Sequence, residues 1–318
     1  MAEFPAKLLL FGEYSILLGS SAVGIPFDHF SASLKFIGQE ASDTLSLAKE
    51  SNRKLRGLCD HFMAHPRIFR KFLDTERFAT DIGNGLFLES DIPPRYGMGS
   101  SGALCAAIYY RYLLNHPGSF HHTDMKNLVS VREAFVEMES FFHGKSSGFD
   151  PLISLLKRPL LLDRQGKVVS VDPIGRLMIE NHIGVLLLDT GEPCGTGPLV
   201  AGFLAGFAPG GNVTSAGTRF CSLVNSIIGK LLSGEINGFF NELDQLSQFQ
   251  LTHLSHLIVP AFRPIWAEGL ENRLFTLKLC GSGGGGFLLC FTRELQMTLD
   301  YFKNISTNSL IVSFKPDL

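Results

Sequence analysis

The reading of this chain turns on one stretch, Pro93-Pro94-Arg95-Tyr96-Gly97-Met98-Gly99-Ser100-Ser101-Gly102. An apolar, helix-favouring run follows it, with Ala103, Leu104, Ala106, Ala107, Ile108, Leu113 and Leu114. The order is a glycine-rich loop that feeds directly into a helix N-terminus. Such a terminus offers unpaired backbone N–H groups and the positive end of the helix dipole, and both suit an anion. Gly97 and Gly99 remove side chains that would hold a phosphate away from the backbone. Ser100 and Ser101 are expected to cap the helix and to present hydroxyls to a phosphate or its metal ion. A plain capped helix after a loop has the same composition, so the loop alone is a weak signal.

Two better-known phosphate loops are excluded. Gly97, Gly99 and Gly102 fit a G-x-G-x-x-G spacing, but a dinucleotide site needs a strand running straight into the first glycine. Asp91-Ile92-Pro93-Pro94 is not such a strand. A P-loop needs Gly-Lys-Ser/Thr, and the stretch has no lysine. A phosphate bound here is held in a third way.

With 318 residues the chain is long for one core, which predicts two domains, and the chain re-enters apolar sequence near Asn181. The expected division is 1–181 and 182–318. Hydrophobic residues make up 45% and charged residues 18%, a globular composition. A net charge of −2 gives no footprint for nucleic acid or an anionic membrane. Cys59, Cys105, Cys194, Cys221, Cys280 and Cys290 form no C-x-x-C pair and read as reduced, buried thiols. No apolar run approaches the roughly 18 residues of a membrane span. Leu8-Leu9-Leu10-Phe11 is cut short by Gly12-Glu13 and is no signal peptide. A cytoplasmic protein is expected.

Along the chain, Pro5 to Tyr14 reads as a buried strand with Lys7 near its start and Glu13 near its end. Residues 30–48 and 85–89 read as strands, with a helix around Leu55 to Phe72 between them. His116-Pro117-Gly118 ends the helix behind the glycine loop. Met125 to Phe142 is helical and carries Glu139 near its end, where the dipole disfavours a carboxylate and invites a cation, although a solvated surface glutamate is the plain reading. His143-Gly144-Lys145-Ser146-Ser147-Gly148-Phe149-Asp150-Pro151 follows, and Asp150 stands at a helix start, where an N-cap is the plain reading. Strands are expected at Pro159–Asp163, Lys167–Asp172 and Ile183–Leu188, then helices at Leu199–Phe207, Gly217–Leu232 and Ile236–Ser247. His253 and His256 lack a third ligand and read as ordinary helix-face residues, and His121-His122 as loop residues. Finally, Leu277 to Phe291 sets two apolar strands around Gly281-Ser282-Gly283-Gly284-Gly285-Gly286. A run so bare of side chains implies close packing against another backbone or a ligand.

Three stretches, Pro5 to Glu13, Pro93 to Ala103 and Lys278 to Gly286, resemble in order and spacing the motifs of the GHMP kinases. Among these the chain is most similar to the mevalonate kinase branch. Glu139, His143-Gly144, Ser147-Gly148 and Asp150 keep that branch's spacing, and Asp189-Thr190-Gly191 through Thr196, Leu199 and Val200 resembles its substrate-side strand and turn.

The resemblance implies an α+β fold of two domains: an N-terminal mixed sheet with helices, and a smaller ferredoxin-like C-terminal domain. It implies an ATP- and Mg²⁺-dependent enzyme that phosphorylates the primary hydroxyl of mevalonate, giving 5-phosphomevalonate for isoprenoid biosynthesis. By resemblance, Asp150 accepts the hydroxyl proton or orients the alcohol, and Lys7 pairs with it. Ser101 and Glu139 hold Mg²⁺. Gly97, Met98, Gly99, Ser100 and Ser101 wrap the phosphates, while Gly281, Ser282, Gly283 and Gly284 close over them or brace that loop. Tyr14 and Thr196 fall on the substrate side, and Glu13 lies near the substrate or supports Lys7. Four departures stand out. Tyr14 replaces a histidine and Cys194 an arginine, Lys145-Ser146 replaces Asn-Pro, and Gly102 replaces an alanine. Another acceptor (phosphomevalonate or a sugar) and a nucleotide-binding sensor are the alternatives. Partners are then small molecules alone, with a homodimer left open.

Overall fold

The structure, a computed structural model, describes residues 2–38, 42–114, 128–144, 146–171, 173–305 and 307–312. In chain order the elements are β1 (Glu3–Phe11), β2 (Ala22–Phe36), α1 (Ser42–Ala64), α2 (Pro66–Phe69), α3 (Thr75–Gly83), β3 (Leu86–Ser90), α4 (Ser100–Tyr112), α5 (Leu128–His143) and α6 (Phe149–Leu156). Next come β4 (Leu160–Leu162), β5 (Val168–Ser170), α7 (Pro173–Glu180), β6 (Gly184–Asp189), α8 (Thr196–Phe207), α9 (Ser215–Ser233), α10 (Ile236–His253), α11 (Phe262–Asn272), β7 (Thr276–Leu279), β8 (Phe287–Thr292), α12 (Leu295–Asn304) and β9 (Ser309–Ile311). The fold is α+β, as expected. The chain divides into two units, each drawn from separated stretches. The first comprises Met1–Lys7, Pro26–Pro93 and Gly99–Lys157, and the second Leu8–Ile25, Pro94–Met98 and Arg158–Leu318. The chain passes from one to the other inside β1, inside β2, at each end of Pro94–Met98 and after Lys157.

In the first unit Ala32–Phe36 of β2 pairs antiparallel with β3. Helix α1 lies against that strand: Ser51 Oγ donates to Leu88 O, and the buried Asn52 amide donates to Ile82 O and Leu86 O. Ala48, Asn52, Leu55, Cys59 and Phe62 are all buried, a spacing of three to four residues that one helix face provides. That face explains why residues 42–48 are helical and not the end of the strand expected over 30–48. The strand is also longer at its start, from Ala22. Aromatic rings fill the space behind it, with Phe62 and Phe69 centred 4.3 Å apart and Phe78 and Tyr112 4.9 Å apart.

In the second unit β7, β8, β6 and β9 form one antiparallel sheet in that order. Phe11, from β1, packs on Phe239 of α10 at 5.9 Å and on Phe291 of β8 at 5.6 Å. Ala22–Gly24 of β2 pairs with β4, and β4 with β5. The outer edge of β7, a buried strand at the end of its sheet, is served by α10, where buried Gln250 accepts from Leu279 N at 2.9 Å. Helix α7 covers Pro173-Ile174-Gly175, which the sequence suggested only as a boundary. Its Ile174 and Met178 are four residues apart and both fully buried.

The expected turn at His116-Pro117-Gly118, the start of the helix at Met125, His121-His122 and Lys145 lie outside the described residues. Among those described, no helix is long and apolar enough to cross a membrane.

Candidate active site

Two groups of residues carry chemistry, one in each unit. The first gathers at the N-terminal ends of α4 and α6, at the end of α5 and at Lys7 of β1. Lys7 Nζ lies 2.8 Å from Asp150 Oδ2, with the lysine side chain buried at 5% and the aspartate 32% exposed. The N-cap of α4 is Gly99, at φ 73°, and Ser100 and Ser101 are its first two helical residues. The expected serine caps are therefore absent, because a left-handed glycine already ends the loop. A Cβ at position 99 would stand 2.7 Å from Lys7 Cγ and 2.9 Å from its Cε. The missing side chain is the space through which the lysine reaches Asp150.

The N-cap of α6 is likewise a glycine, Gly148 at φ 67°, which places Asp150 second in the helix and excludes the plain N-cap reading. A Cβ on Gly148 would meet Arg132 O at 2.5 Å. Gly102 packs so closely on α6 that its Cβ would lie 3.1 Å from the Asp150 backbone.

Glu139 is buried, and its carboxylate accepts from the Ser146 hydroxyl and from Ser101. Ser146 is itself fixed by accepting from Gly148 N at 3.0 Å. Burial first, and then the Asp150 charge, push the Glu139 carboxyl up to about 8, against the pull of Ser146, Lys7 and Ser101. A carboxylate so disfavoured as an anion gains from a cation. One carboxylate with serine hydroxyls is a hard oxygen set, and it suits Mg²⁺ shared with phosphate oxygens. No cage of three or more acidic, histidine or cysteine ligands exists among the described residues. The donors therefore fit a metal that arrives with its phosphate.

The second group is built around the glycine run between β7 and β8. A Cβ on Gly281 would stand 2.7 Å from Gly97 Cα, and one on Gly286 2.7 Å from Tyr96 Cα. Gly283 meets Leu257 O, and Gly284 meets the Cys194 sulfur at 2.8 Å. Gly284 N donates to Leu257 O and Gly286 N to Glu192 O, both at 2.6 Å, while Thr190 N donates to Gly286 O at 3.0 Å. The run is bare because three backbones press on it. Met98, next to Gly97, is buried.

Tyr14 is buried at φ 63°, its ring 4.6 Å from Phe203, and its hydroxyl donates to Ser282 O at 2.5 Å. Burial, with Cys194 nearby, raises the Tyr14 phenol and keeps it a neutral donor. Glu13 forms a buried ion pair with Lys278 at 2.5 Å, and Lys278 also donates to Leu279 O at 2.7 Å. Arg95 is exposed at φ 64°, with its carbonyl accepting from Cys194 N at 3.0 Å. A left-handed non-glycine residue costs about 1–2 kcal/mol.

The structure thus joins Lys7, Gly99, Ser101, Glu139 and Asp150 in one cluster, and joins Gly97 with Gly281 to Gly284, Ser282 and Tyr14 in the other. Thr196 heads α8, and its side chain lies outside the described residues. His253 and His256 are exposed and meet no third metal ligand among the described residues. Two contributors were missed. Ser146 had a signal, a hydroxyl in a small-residue turn seven positions after Glu139. Lys278, a charge inside an apolar strand, had one too.

Residues 66–158 match the family model of the GHMP kinases N terminal domain. The chain has the fold of GHMP kinase structures, and members of that family are ATP-using phosphotransferases that act on hydroxyl groups. Among similar solved structures is the Methanococcus jannaschii mevalonate kinase, at 15% identity and TM-score 0.63, covering 99% of this chain and 98% of that one. Streptococcus pneumoniae phosphomevalonate kinase, in complex with phosphomevalonate and AMPPNP, has 15% identity and TM-score 0.58 over 98% and 99% of the two chains. Lactococcus lactis galactokinase, complexed with galactose, has 10% identity and TM-score 0.61 over 98% and 92%. No curated protein matches the chain in sequence.

Proposed function

We propose that this protein is a cytoplasmic kinase that transfers the γ-phosphoryl group of ATP to the primary hydroxyl of mevalonate. The observation that carries the kinase reading is the Lys7–Asp150 pair beside the buried Glu139 and Ser101. Phosphoryl transfer to an alcohol needs positioning and charge neutralisation more than covalent chemistry. Asp150, partly exposed, accepts or orients the alcohol proton. Lys7 holds Asp150 in place and offsets negative charge that develops beside it. Glu139 and Ser101 would hold Mg²⁺, which would supply positive charge to offset that of the phosphates. Backbone N–H groups of Gly97 to Ser101 bind phosphate, braced by Gly281 to Gly284. Mevalonate as the acceptor rests on the motif resemblance, above all the block from Glu139 to Asp150.

ADP release by the purified protein with Mg-ATP, measured separately with mevalonate, phosphomevalonate, galactose and homoserine, tests the reading. Mevalonate-dependent turnover is expected, and turnover with a different acceptor would displace mevalonate while keeping the kinase. Asp150→Asn should lower turnover by about 10²–10⁴-fold with nucleotide binding retained. Unchanged turnover would remove Asp150 from the reaction.

A further inference from the structure

Arg95 stands immediately before the phosphate-loop glycines in a conformation that disfavours any side chain. Its backbone is not free to relax, because its carbonyl accepts from Cys194 N and the next residues, Tyr96 and Gly97, press on Gly286 and Gly281. A glycine would satisfy that geometry without strain, yet the chain carries its longest cation there. The guanidinium is exposed and, among the described residues, has no hydrogen-bond or ion-pair partner. Of the acids on the facing turn, Asp189 accepts from the Tyr96 hydroxyl and from Gly191 N, and the exposed Glu192 makes no ion pair with Arg95 among the described residues. A strained residue that keeps an unpaired, forked cation beside anion-binding backbone points to a ligand for that cation.

We propose that Arg95 is an anion-binding residue of the reaction, its guanidinium taking two oxygens of a carboxylate or phosphate group. The inference deepens the kinase reading above and supplies the substrate-side cation that position 194, a cysteine, does not. Two sources offer that chemistry, the polyphosphate of the nucleotide and the carboxylate of the acceptor.

Arg95→Gly separates the cation from the backbone, since glycine keeps the left-handed turn and removes only the charge. Arg95→Lys keeps the charge and loses the fork. Titration calorimetry with inorganic tripolyphosphate and with mevalonate, together with KM for ATP and for the acceptor, would be run on wild type and both variants. We expect Arg95→Gly to keep or raise the thermal midpoint while weakening one anion by about tenfold to hundredfold, with Arg95→Lys between. Loss confined to tripolyphosphate and ATP assigns Arg95 to the nucleotide, and loss confined to mevalonate assigns it to the acceptor. Equal affinity of wild type and Arg95→Gly for both anions overturns the proposal, as does a wild type that binds neither. Arg95-dependent tripolyphosphate binding without turnover of any of the four acceptors would keep Arg95 as an anion-binding residue and sink the kinase reading instead.

Discussion

At the scale of single residues, the first cluster works by leaving atoms out. Gly99 has no side chain at the point where the Lys7 stem passes, and that stem delivers an ammonium group to Asp150. Gly99→Ala adds a methyl 2.7 Å from Lys7 Cγ and places an L-residue at φ 73°. The expected cost is about 1–3 kcal/mol of stability. A displacement of the lysine by about 1 Å would lower turnover by about 10²-fold. Urea unfolding and ADP release measure the two effects, and a fully active, fully stable variant would refute this account of Gly99. Glu139 shows the complementary device. Its carboxylate is buried beside a like charge and held by two serine hydroxyls, so its site is built for a cation and is poor for a lone anion.

At the scale of elements, what matters is how strands and helices end. Helices α4 and α6 both begin on left-handed glycines, so neither N-cap residue offers a side chain, and Phe149 N at the start of α6 donates instead to Ser147 Oγ at 3.3 Å. The β7–β8 connection is a glycine run because Tyr96, Gly97, Glu192 and Leu257 leave it no room. Gly281→Ala would drive a methyl into Gly97 Cα, and backbone cannot give way as a side chain can. We expect a loss of about 1–3 kcal/mol and weaker nucleotide binding. Gly202, exposed in α8 with nothing within 4 Å of a Cβ, is the contrasting case. Gly202→Ala should stabilise the protein by about 0.5–1 kcal/mol through helix propensity. Thermal midpoints of the two variants should move in opposite directions. A shared direction would refute the contrast.

At the scale of the whole molecule, the chain weaves between its units, and the second unit depends on residues from near the N-terminus. Glu13 and Lys278 are 265 positions apart, yet they form a fully buried pair, and Tyr14 reaches Ser282 across 268. Lys278→Met leaves the Glu13 carboxylate buried without its cation and should cost about 3–5 kcal/mol. Combining it with Glu13→Gln should recover much of that loss, because a neutral amide no longer needs the charge. A double-mutant cycle by urea unfolding measures the coupling, and strictly additive losses would show that the pair is not the source of the effect.

The local chemistry was legible from the sequence because it is contiguous. Two glycines and two serines before an apolar run define a loop and a helix start, and Glu139 with Asp150 marks a turn flanked by acids. Helical periodicity at Ala48, Asn52, Leu55, Cys59 and Phe62 was present as well, but an expected strand over 30–48 hid its first turn. The sequence by itself therefore carried a glycine loop before a helix start and, through its motif resemblance, the α+β class and the naming of Lys7, Ser101, Glu139 and Asp150. The tertiary structure decided that Gly99 and not a serine caps α4, that Ser146 serves Glu139, that Lys278 belongs to Glu13, and that Arg95 is held in strain by Cys194. Each of these depends on which backbone lies within a few ångströms of which side chain. Pairings across more than 200 residues leave no local pattern, since only the folded chain brings such partners out of water together.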